Sequence, residues 1–155
     1  RDSGHFTPAS EEARTIHLGV DFWAEAGTSV FAPVDGIIHS FADNAGYANY
    51  GPTIILEHQT GSAQNDFPRY SLYGHLSRAS LAGLYEGKAV KAGEKLAEIG
   101  PYPENGDWPP HLHFQLVHDM LGLRGDFPGV CRLSEQERWL AICTDPNPFI
   151  FQTLP

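Results

Sequence analysis

The 155-residue sequence predicts a mostly β protein, an antiparallel sandwich or barrel-like fold with one short C-terminal helix. Three observations carry that expectation. Short apolar runs rich in β-branched residues recur along the chain with no strand–helix–strand rhythm. Sixteen glycines and twelve prolines punctuate them, as a turn-rich sheet protein requires. One helix signal stands out: Ser134 with Glu137 forms a capping-box pattern ahead of Arg138-Trp139-Leu140-Ala141-Ile142.

The elements follow in order. Residues 1–13 are polar and aperiodic and read as a loose arm. Strands begin near Thr15; residues 29–32 and 36–41 read as two strands around Pro33-Val34-Asp35-Gly36. Residues 42–52, rich in Asn, Gly and Tyr, read as a loop, and Thr53 to His58 as an apolar strand. A polar connection over 60–68 leads to a strand over 69–76, then a short turn or helix at 80–85. Gly87 and Gly93 bracket a short strand, and 96–99 and 111–118 are strands flanking a loop with four prolines over 100–110. Asp145-Pro146-Asn147-Pro148 ends the C-terminal helix. Length implies one domain, divided here into the arm 1–13, a domain over 14–120 and an extension over 121–155 that packs on it.

Composition narrows the function. Net charge is -9, and no cluster of Lys and Arg offers a phosphate-binding surface, so nucleic acid is not an expected partner. No apolar run is long enough to cross a membrane. The first residues, Arg1-Asp2-Ser3-Gly4-His5, are polar and do not read as a signal peptide. Cys131 and Cys143 are too few for a disulfide framework and lack zinc-ribbon spacing, so they read as unpaired thiols. The start without methionine and the end at Thr153-Leu154-Pro155 give the expectation of a domain excised from a longer chain, with neighbouring domains as partners and no fixed compartment.

The chemistry lies in His17-Leu18-Gly19-Val20-Asp21 and, about ninety residues later, His111-Leu112-His113. Two imidazoles and a carboxylate make a three-ligand set that suits zinc and leaves a position open for water. On a straight strand His17 and Asp21 would lie ~13 Å apart at about 3.3 Å per residue, too far for one metal. Gly19 between them allows the backbone to bend or bulge, so that both side chains converge. His111 and His113 share one face of a strand, which allows one of the pair to bind a metal while the other points to the substrate side. His75, in Tyr73-Gly74-His75-Leu76, is a lone histidine at a strand end. No H-E-x-x-H helix supplies a glutamate base.

Five motifs in order, His17 to Asp21, Ala24 to Gly36, Tyr73 to Leu76, Gly87 to Gly100 and His111 to Phe114, resemble the lysostaphin/LytM-type zinc metallopeptidases. The likeness runs from about Thr15 to Val117, roughly two thirds of the chain. It implies the duplicated hybrid-motif fold, with a central antiparallel sheet. It implies zinc ligands at His17, Asp21 and His113 and catalytic histidines at His75 and His111. It implies cleavage of peptide bonds in peptidoglycan, often next to glycine, and hence a periplasmic or extracellular setting. Domains similar to this one also occur within large bacterial proteins with kinase-like and aminotransferase parts, which implies a cytoplasmic setting and a different amide as substrate. Inactive relatives act as binding or regulatory modules but generally lack part of the ligand set, and this chain keeps all five positions.

Two departures bear on the substrate. The segment Pro101 to Pro110 is longer and stiffer than the small-residue turn usual in the family, carries Tyr102 and Trp108, and is expected to border the substrate groove. Tyr50-Gly51, also expected at the groove, is followed by Pro52-Thr53 where the family often has Asn. The expectation is therefore a zinc endopeptidase acting on a peptide or peptidoglycan-like substrate, with a non-catalytic module on the same fold as the alternative.

Overall fold

A computed structural model describes residues 13–59 and 67–150. Most of the expected arm over 1–13 and of the polar connection over 60–68 lies outside these. The strands are β1 (Arg14–His17), β2 (Val20–Trp23), β3 (Ser29–Phe31), β4 (Gly36–Asn44), β5 (Gly51–Glu57), β6 (Tyr70–Gly74), β7 (Ala89–Val90), β8 (Lys95–Glu98), β9 (His111–Val117), β10 (Val130–Arg132) and β11 (Cys143–Thr144). The helices are α1 (Gln136–Ile142) and α2 (Asn147–Ile150), with single 3-10 turns at Arg78–Leu81 and Leu133–Glu135.

A mostly β, antiparallel architecture is what forms. The main sheet runs β11–β9–β6–β5–β4–β7, and β2 also pairs with β9. β2 covers His111 to Phe114 and β11 covers Leu116 and Val117, so two short strands lie end to end along one edge of β9. Two further ribbons, β1–β10 and β3–β8, complete it.

β5 reads as a continuous apolar run because both its faces are covered. Ile54 and Leu56 pack with Ile38, Tyr73, Phe114 and Leu116 on one side. Ile55 points the other way, into a second cluster with Leu18, Leu72, Val117, Met120, Phe127, Cys131 and Cys143. Residues 120–143 thus supply the cover for one face of the sheet. Among the described residues, no helix is long and apolar enough to cross a membrane.

The structure corrects several local expectations. β4 runs on to Asn44 and β5 starts at Gly51, because the ladder continues through Asp43↔Pro52 and Asn44↔Gly51; the loop is shorter than 42–52. β6 stops at Gly74, since His75 turns into the left-handed region at φ 62. The cap position of α1 falls on Glu135, without a side-chain cap bond, and Ser134 sits inside the 3-10 turn Leu133–Glu135 that precedes it.

Candidate metal centre and active-site groove

Strand register assembles the site. Asp21 stands directly opposite His113 across β2–β9, and Gly74 stands opposite His113 on the β6 side, so His75 emerges beside the same spot. The step from β1 to β2 brings His17 in. β1 belongs to the ribbon with β10 and β2 to the main sheet, and the chain bends at Leu18 and Gly19, where Leu18 N–H donates to Gly129 O at 2.8 Å. Gly19 is needed for space more than for conformation. A Cβ there would sit 2.5 Å from Phe114 O and 3.0 Å from the His113 ring.

His17 Nε2 lies 3.5 Å and His113 Nδ1 3.3 Å from Asp21 Oδ1, and the three ligand atoms all fall within 4.8 Å of one another. Ligands about 2.0–2.1 Å from a tetrahedral zinc stand ~3.3 Å apart, so these spacings suit the ion. The ring hydrogen bonds agree. His17 Nδ1–H donates to Gly19 O at 2.7 Å and His113 Nε2–H donates to Gln115 Oε1 at 2.8 Å, leaving a lone pair on His17 Nε2 and His113 Nδ1. Two imidazole nitrogens and a carboxylate form a donor set that fits zinc.

His111 and His75 stand next to this cluster and are held alike. His111 Nδ1–H donates to Pro109 O at 2.8 Å, and His75 Nδ1–H donates to Asn105 O at 2.8 Å. Each ring keeps Nε2 as its free nitrogen, and His111 Nε2 lies 3.9 Å from Asp21 Oδ1. The two ring centroids are 4.3 Å apart. The strained backbone of His75 is locked by its N–H on Tyr50 O at 2.7 Å and its carbonyl on Gly100 N–H at 2.9 Å. Asn105, fully buried, ties the proline-rich loop together by donating to Gly100 O and Trp108 O and accepting from Trp108 N–H.

Burial and charge set the protonation states. Burial would raise the Asp21 carboxyl, but the bond to His113 and the nearby His17 and His111 outweigh it and hold it below its ordinary value. Burial pulls the His75 imidazole down to about 4, against the bond to Asn105, so it is neutral near pH 7. Burial likewise raises the Tyr50 phenol, which stays protonated.

The cluster opens into a groove of about 530 Å³. Tyr50 and Trp108 both line it beside Asn49, and Leu123, Arg124 and Asp126 to Val130 form another part of its wall. Trp108 Nε1–H donates to Asn49 O at 3.2 Å, which joins the two loops at the rim. Trp23 was not among the residues singled out from sequence, yet it is 63% exposed and stacks on His111, centroids 4.3 Å apart and planes 25° from parallel. Alternation along β2, which puts Asp21 and Trp23 on one face, was the signal that could have found it.

The profile of Peptidase family M23 matches residues 15–123, and the chain belongs to that family. The glycyl-glycine endopeptidase ALE-1 of Staphylococcus capitis is 36% identical over 99 residues, 64% of this chain and 24% of that protein. The catalytic domain of the antimicrobial peptidase lysostaphin from Staphylococcus simulans superposes with a TM-score of 0.54 at 27% identity, covering 86% of this chain and 78% of that one. A zinc-containing peptidase from Vibrio cholerae superposes with a TM-score of 0.50 at 30% identity, over 66% of this chain and 27% of that one. The chain spans between 18% and 24% of the length of the curated relatives it matches.

Proposed function

We propose that this chain is a zinc-dependent endopeptidase that cleaves peptide bonds of peptidoglycan type, with His17, Asp21 and His113 holding the metal. One observation carries the reading: the Nε2 atoms of His17 and His111 and the Nδ1 of His113 all turn toward Asp21 Oδ1 within 3.9 Å. When bound, zinc supplies a water activated near neutral pH and a Lewis acid for the scissile carbonyl.

The remaining work falls to the chain's own groups. His111 and His75, each anchored through Nδ1–H on a backbone carbonyl, present Nε2 for proton transfer. Burial keeps His75 neutral near pH 7, so its Nε2 offers a lone pair rather than a proton. The protonated ring then steadies the oxyanion as the carbonyl carbon becomes tetrahedral. Tyr50, Trp108 and the wall from Leu123 to Val130 seat the peptide. The name of ALE-1 supports an endopeptidase, that of lysostaphin a peptidase, and that of the Vibrio cholerae peptidase zinc.

The test is metal analysis of protein purified without added zinc, with cleavage of glycine-rich peptides and of peptidoglycan. One zinc per chain, lost in His113→Ala, is expected. Full zinc occupancy in that variant refutes the ligand set, and a zinc-loaded protein that cleaves neither substrate refutes the endopeptidase.

A further inference from the structure

We propose that Gln115 is a positioning residue for the metal ligand His113, fixing which ring nitrogen faces the metal; this rests on the metal site proposed above. Gln115 lies two residues beyond His113 on β9, on the same face, and is fully buried. Its Oε1 accepts from His113 Nε2–H at 2.8 Å and from the Tyr50 hydroxyl at 3.5 Å. Its Nε2 donates to Pro128 O at 3.0 Å and to Cys143 Sγ at 3.3 Å.

That arrangement admits one orientation of the amide. A carboxamide has two donors on nitrogen and two lone pairs on oxygen, and here all four have partners. Turning it over would set a carbonyl oxygen against Pro128 O, with no donor between them, and an NH₂ against the Nε2–H of His113. The backbone carbonyl of Pro128 therefore orients the amide, and the amide places the proton of His113 on Nε2. The lone pair is left on Nδ1, the nitrogen 3.3 Å from Asp21 Oδ1. The Tyr50 hydroxyl, 3.4 Å from His113 Nε2, is a longer partner for the same nitrogen and leans toward Gln115 as well.

The C-terminal extension gains a role from this. Pro128 sits on the groove wall and Cys143 begins β11, and both lie beyond residue 123, where the family match ends. Outer partners of metal-bound histidines commonly contribute 10- to 100-fold to metal affinity.

The experiment measures zinc affinity by chelator competition in the wild type, Gln115→Leu and Gln115→Glu, and reads the His113 tautomer by nitrogen-15 NMR of the zinc-free wild type at mildly alkaline pH. Gln115→Leu is expected to bind zinc on the order of 10- to 100-fold more weakly. Gln115→Glu keeps an acceptor for His113 but sets a carboxyl oxygen against Pro128 O in place of the NH₂, so it is expected to recover only part of that loss. The wild-type His113 is expected to carry its proton on Nε2, a reading that needs no variant to fold. Wild-type affinity in Gln115→Leu, or an Nδ1–H tautomer in the wild type, overturns the proposal. Failure of the metal site itself shows differently, as zinc retention in His113→Ala.

Discussion

Alanine at Gly19 is expected to displace a proposed metal ligand without replacing one. The added Cβ would lie 2.5 Å from Phe114 O, about 0.9 Å inside the 3.4 Å at which ordinary contact begins, and 3.0 Å from the His113 ring. Phe114 O belongs to β9, which is held by β6 on its far side, so it has little freedom to retreat. The strain is relieved by moving β2 away from β9 or by rotating His113. Either change spoils the opposition of Asp21 and His113, whose ligand atoms are now 3.3 Å apart. Overpacking of this size costs about 1–3 kcal/mol. Zinc affinity is expected to fall on the order of 10- to 100-fold, as when the support of a ligand is disturbed. Denaturant unfolding and chelator competition measure the two effects. A Gly19→Ala protein with unchanged stability and unchanged zinc affinity refutes the close-packing account of the His17–Asp21 segment.

Trp23→Ala is expected to lower kcat roughly tenfold on a glycine-rich peptide with KM little changed, since it frees the His111 ring from its stacking partner; stability should change by no more than about 0.5 kcal/mol at so exposed a position. Asn105→Ala removes the bonds that fix the loop carrying the His75 anchor, and is expected to cost about 1–3 kcal/mol and to reduce kcat. His58, buried, donates from Nδ1 to Asp35 O and shares a hydrogen bond with Ser71 Oγ through Nε2, and burial lowers its proton affinity. The unfolded chain, with an ordinary value near about 6.5, then binds the extra proton first, so the stabilisation is present above about pH 6.5 and is lost as pH falls below it. Urea unfolding between about pH 7 and pH 5 should show a smaller loss in His58→Gln than in the wild type. Cys143, whose thiol burial pushes up to about 11, should react with an alkylating agent only on unfolding.

Much of this was legible in the sequence because the relevant signals are local. The alternating and fully apolar runs marked β4, β5, β6 and β9 to within a few residues, and His111-Leu112-His113 announced two histidines on one face. What was not legible depends on pairing between distant segments. The two-residue strand β11 and the three-residue strand β10 are too short to carry a pattern of their own and depend on pairing with β9 and β1. The cap position of α1 falls one residue after Ser134 because a 3-10 turn runs up to it, which the local pattern did not indicate. Gln115 and Trp23 share strand faces with His113 and Asp21, but their roles came from what lies across the sheet: Pro128 and Cys143 for one, His111 for the other.

The most direct test of the metal centre is a crystal structure of zinc-loaded protein with anomalous data at the zinc edge. One peak is expected, bonded to His17 Nε2, Asp21 Oδ1 and His113 Nδ1 at about 2.0–2.2 Å, with the Nε2 atoms of His75 and His111 beyond bonding distance. A peak ligated by His111 in place of His113, or one that leaves Asp21 unbound, contradicts this ligand set.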